Sequence, residues 1–98
     1  MPGELKASDL PLPGGNFRLF VTRLSFQAMM SLGMLENPIT GTRRIDLPSA
    51  RMLIEDLKML QDKTRGNLED DEQEQLDKSV RDLDYAFARI ERQGVAEA

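Results

Sequence analysis

Two stretches of the chain hold polar side chains at a density that could do chemistry. The first is Asp70-Asp71-Glu72-Gln73-Glu74, a run of acidic residues. Carboxylates so close together can bind a hard divalent cation, or, in a pocket that separates their pKa values, act as general acid and general base. The spacing fits neither use. A calcium loop sets its oxygen ligands around a turn glycine, and a di-iron bundle relies on Glu-x-x-His pairs; the run lacks the first and the chain has no His. Acidic residues in the first turn of a helix complement its dipole, which accounts for the run without a ligand.

The second stretch is Thr40-Gly41-Thr42-Arg43-Arg44, just before a helix start. Backbone N–H groups and two guanidiniums there could hold a phosphate or carboxylate, so Arg43 and Arg44 are candidate anion contacts. The Gly-Lys-Ser/Thr element of a phosphate-binding loop is missing, Asp46 stands where the anion would sit, and Pro48 removes a donor. Arg51 extends this locally basic stretch, and the three arginines define the alternative function: nucleic-acid or anionic-ligand binding. No aromatic residues interleave with them, and the acidic last third of the chain opposes phosphate. The absence of Cys and His removes disulfides, thiolate nucleophiles, imidazole bases and the commonest zinc ligands together. The expectation is a non-enzymatic protein with no catalytic residue, metal or cofactor.

The elements that would position these residues are helical. The chain has 98 residues and a net charge of −4, with net +2 over residues 1–65 and −6 over 66–98. That length suits one small domain of modest stability. Residues 1–16 contain Pro2, Gly3, Pro11, Pro13, Gly14 and Gly15 and are expected to be a loosely docked tail, followed by one helical domain over 17–93 and a short tail at 94–98. No apolar secretion signal or bilayer-spanning stretch is evident, so a soluble, cytoplasmic protein is expected.

Periodicity predicts an all-α, three-helix protein with helix 1 at about 17–35, helix 2 at about 47–65 and helix 3 at about 69–92. Asn16 and Asp46 are the expected N-caps of the first two, and Asn67 or Glu69 that of the third. Leu76, Val80, Leu83, Phe87 and Ile90 form a narrow seam on helix 3, which suggests an antiparallel hairpin with helix 2. Helix 1 differs. Phe17, Phe20, Val21, Leu24, Ala28, Leu32 and Leu35 fall within roughly 120° of one another on a helical projection. Leu19, Phe26, Met30 and Met34 gather nearly opposite, with Arg23 among them and Met29 at the margin. Covering four such side chains is worth about 1.5–3 kcal/mol each. Helix 1 is therefore expected to be central and completed by another chain, either a second copy in a two-fold dimer or a different protein. Met52 and Met59, seven residues apart on the off-core side of helix 2, extend the same expected interface.

Several segments combine into a resemblance: Leu24-Ser25-Phe26-Gln27-Ala28 with Leu32-Gly33, Asn37-Pro38-Ile39-Thr40-Gly41, and Lys63-Thr64-Arg65-Gly66-Asn67-Leu68. From about Phe17 to Phe87 the chain resembles a bacterial family of short helical proteins known as domain of unknown function eighteen-forty-four. The resemblance supports the helical fold and implies no activity or catalytic residues. Three positions depart from the family pattern: Phe26 where a small residue is usual, Glu69 where a Thr cap is usual, and Asp84 where Arg is common. The first enlarges the second face of helix 1.

Overall fold

A computed structural model describes residues 15–93. The expected tails at 1–16 and 94–98 lie outside these residues, apart from Gly15 and Asn16. The described chain is all-α, in the order α1 (Phe17–Ser31), α2 (Leu47–Lys63) and α3 (Asp70–Arg92). Among the described residues the sole β pairing is an isolated antiparallel bridge between Leu32 and Ile45.

Asn16 caps α1 as its residue type dictates: its backbone is extended and its Oδ1 accepts the Leu19 N–H at 3.0 Å. The helix stops at Ser31, four residues short of the expected end. Gly33 adopts φ +76°, its N–H donates to the Met30 carbonyl at 3.0 Å, and the Met34 N–H reaches back to the Met29 carbonyl at 2.9 Å. This is a Schellman closure with glycine at the left-handed position. Met34 and Leu35 thereby leave the helix, and both are exposed.

Asp46 caps α2, accepting the Ser49 N–H at 3.2 Å and the Ser49 hydroxyl at 2.8 Å. Pro48 sits in the first turn, where a missing N–H costs no intrahelical bond. The helix ends at Lys63, two residues before the expected limit, with Thr64 as its cap and the Thr64 hydroxyl donating to the Leu60 carbonyl. Gly66 takes φ +82° just beyond, turning the chain toward α3. Glu69 is the N-cap of α3, and its N–H donates to Glu72 Oε1 at 2.9 Å. Acidic residues 70–72 in the first turn and Arg89 and Arg92 in the last both suit the helix dipole.

The core draws on all three helices. Val21, Ala28 and Leu32 at α1, Ala50, Leu53, Ile54 and Leu57 on α2, and the whole seam of α3 with Ala86 are buried, and no polar or charged residue joins them. Every helix packs on both others, so α1 is not the central element that two apolar faces implied. Only its Val21 side is enclosed. Phe20, assigned by projection to the inner face, is exposed. Between α2 and α3 the polar contacts are Arg51–Glu91 at 3.8 Å, Lys58–Asp84 at 3.1 Å and Gln61–Asp77 at 2.9 Å. Between α1 and α3, Gln75 Nε2 donates to the Arg18 carbonyl at 3.1 Å and the Thr22 hydroxyl at 3.0 Å. The ion pairs are solvated, and such pairs contribute about 0–1 kcal/mol each, so apolar burial holds the helices together.

Candidate interaction face

The second stripe of α1 lies on the side turned away from the core. Phe26 retains 52% of its surface in solvent, and Leu19 and Met30 are half-buried. Met29, at the margin of the stripe, packs against the core instead. Met34 is exposed, but in the chain beyond α1 rather than on the helix. On α2, Met52 and Met59 are 56% and 48% exposed.

The fold joins these two helices at a place the sequence pattern did not announce. Ile45 returns onto the end of α1, pairing with Leu32, and the Asp46 N–H donates to the Ser31 carbonyl at 2.7 Å. The end of α1 and the start of α2 therefore lie side by side. A groove of about 800 Å³ runs between them, with Met30, Met52 and Leu53 among its apolar lining and Asn37, Thr42 and Arg44 among its polar lining. Met30 and Met52 thus share one surface. The signal that could have revealed this is Gly33: a helix closed there turns the chain back within a few residues, so that Ile45 meets the end of α1.

The connection from Asn37 to Asp46 is internally organised. Asn37 Oδ1 accepts the Ile39 N–H at 2.8 Å, the Gly41 N–H donates to the Asn37 carbonyl at 2.7 Å, and the Thr40 and Thr42 hydroxyls pair at 2.8 Å. Asp46 holds a carboxylate at the α2 N-terminus. The hydrogen bonds from the Ser49 hydroxyl and N–H keep its carboxyl below the usual carboxylate range, with the Arg44 charge adding to them. Arg44 borders the groove and Arg43 is exposed. Arg51 points elsewhere: its guanidinium lies 4.7 Å from the Phe87 ring centroid and 3.8 Å from Glu91. The three arginines do not converge on one point.

The acidic run at the start of α3 is likewise employed locally. Glu72 accepts the Glu69 N–H and Asp71 pairs with Arg18 at 3.4 Å. Further along, Lys78 holds the Asp82 carboxyl below its ordinary range through a 2.6 Å hydrogen bond. Among the described residues no group of three acidic side chains is arranged to hold a metal ion, and no helix is long and apolar enough to cross a membrane.

Fold and face together define a small three-helix, all-α domain with a partly apolar side shared by α1 and α2. The chain belongs to the family described as Domain of unknown function (DUF1844), which matches residues 15–89. Comparison with curated proteins and with solved structures returns no match. Of the three positions expected to depart from the family pattern, two have visible partners: Asp84 binds Lys58, and Glu69 caps α3 together with Glu72. The third, Phe26, keeps 52% of its surface in solvent.

Proposed function

We propose that this chain is a non-enzymatic interaction module that associates with a second copy of itself through the outer side of α1, with Met52 and Met59 of α2 completing the surface. In this reading α2 and α3 form an antiparallel hairpin, which leaves the outer sides of α1 and α2 as the docking surface. The setting we propose is the cytoplasm, with which a chain free of Cys is compatible.

One observation carries the reading: Phe26 is an aromatic side chain in mid-helix, 52% exposed, on a face that no other part of the described chain covers. Burying an aromatic ring recovers roughly 25 cal/mol for each Å² of apolar surface removed from water, and rings of this kind anchor interfaces. The neighbouring thioethers suit such a contact, because unbranched, polarizable side chains adapt their shape to a partner.

The test is sedimentation velocity across a series from micromolar to millimolar concentration, comparing the parent chain with a Phe26→Glu, Met30→Glu double variant. The expected result is an oligomeric parent, most simply a two-fold dimer, and a monomeric variant of unchanged helicity. A parent that sediments as a compact 11.1 kDa monomer at all concentrations would sink the proposal.

A further inference from the structure

The outer surface of α1 and α2 has a pattern that matches its own two-fold image. On α1 the outward sequence is Leu19, Arg23, Phe26; on α2 it is Met59, Asp56, Met52. Each is apolar, charged, apolar, and the central charges are opposite. Counted from the junction of the two helices, the two sets also fall at similar distances along them. The Leu32–Ile45 bridge and the 2.7 Å bond from Asp46 N–H to the Ser31 carbonyl set the end of α1 beside the start of α2. Counting away from that junction at about 1.5 Å per residue along both helices brings Phe26 level with Met52, Arg23 with Asp56, and Leu19 with Met59, each within about two residues.

Neither central charge is in an ion pair among the described residues. Arg23 is exposed, in no ion pair among the described residues, and rests its guanidinium 5.8 Å from the Phe20 ring centroid. Asp56 is exposed and is likewise in no ion pair among the described residues. The adjacent Glu55 lies toward α3, where it shares a cleft with Arg51, Lys58 and Asp84.

We infer that the second copy docks about a two-fold axis running along and between α1 and α2, so that α1 of each copy lies on α2 of the other and Arg23 of each meets Asp56 of the other. The inference rests on the self-association reading above and adds its register. About such an axis every point on one helix faces the same height on the other helix of the second copy. Phe26 then covers Met52, Leu19 covers Met59, and both charge pairs form at once. A partner with a surface of one sign would satisfy Arg23 or Asp56 but repel the other, whereas a second copy satisfies both. The size of the face sets the strength. Helices about 22–26 Å long and about 10 Å apart present roughly 450 Å² per copy, below the ~800 Å² typical of a stable interface, so the dimer is a weak, dynamic one.

Charge exchange between two variants tests the register, with dimer dissociation constants from sedimentation equilibrium and helicity from circular dichroism. Arg23→Glu alone and Asp56→Arg alone each place like charges at both contacts, and each is expected to weaken the dimer at least about tenfold. An equimolar mixture of the two variants forms a heterodimer in which both contacts are attractive again. Its affinity is expected to return to within about threefold of the parent. Single variants that dimerise like the parent, or weakened variants that the mixture does not rescue, overturn the register while leaving self-association standing. A monomeric parent overturns both, and it is recognised before any variant is made.

Discussion

Gly33 offers a quantitative test of how the groove is built, because two separable penalties meet at one position. Alanine there must hold φ +76°, a left-handed conformation that costs an ordinary residue about 1–2 kcal/mol. Its Cβ would also lie 2.7 Å from Ile45 Cγ1, closer than two carbon atoms can pack. The Ile45 side chain is partly exposed and can give way, at a cost of about 1 kcal/mol once its contact with the end of α1 is disturbed. Gly33→Ala is therefore expected to cost about 2–3 kcal/mol, a drop in Tm of roughly 8–24 °C for a domain of this size. Gly66 supplies the reference: its φ is +82° and nothing lies within 4 Å of an added Cβ, so Gly66→Ala carries the backbone penalty alone, about 1–2 kcal/mol. Thermal melts followed by circular dichroism, with Gly33→Ala made in both the parent and an Ile45→Ala background, separate the two contributions. Removing the Ile45 side chain should reduce the cost at Gly33 to that at Gly66. If Gly33→Ala costs the same in both backgrounds, the close packing of Ile45 on the end of α1 is refuted. If it costs nothing in either, the left-handed closure of α1 is refuted as well.

Two further perturbations address the helix ends and the core. Asp46→Ala removes the cap of α2 and should lower Tm at neutral pH. The folded-state pKa of Asp46 is depressed, so its contribution is present above the unfolded value of 3.8 and lost as pH falls through the folded value; parent and variant melts should converge below about pH 3.8. A Tm deficit that persists unchanged at pH 2 would show that the carboxylate is not the capping group. Ser25→Ala removes a buried hydroxyl that has no hydrogen-bond partner, so this truncation on α1 should leave Tm unchanged or raise it, by up to about 1 kcal/mol of stability; a loss of more than that would mean the hydroxyl is bonded in solution.

What could be read in advance depended on whether a feature was local to one helix. The seam of α3 was legible because Leu76, Val80, Leu83, Phe87 and Ile90 repeat at a spacing that admits one buried face, and all five are buried. The caps Asn16 and Asp46 were legible because their chemistry acts over three residues. The end of α1 was not. Met34 and Leu35 continue the apolar period, and a projection keeps counting through Gly33, whereas the chain closes there because a glycine can turn left-handed while two N–H groups find carbonyls behind it. The same projection placed Phe26 on a second stripe with Met29 at its margin, yet Met29 packs on the core and Phe26 stands half in solvent. A projection reports angle, and depth depends on which neighbours arrive. Those neighbours are set by Ile45 folding back onto α1, a contact between residues thirteen apart that no helical period encodes. The face that carries the proposed dimer is therefore a product of the loop as much as of α1: by setting the start of α2 beside the end of α1 it brings Met30 and Met52 to one groove.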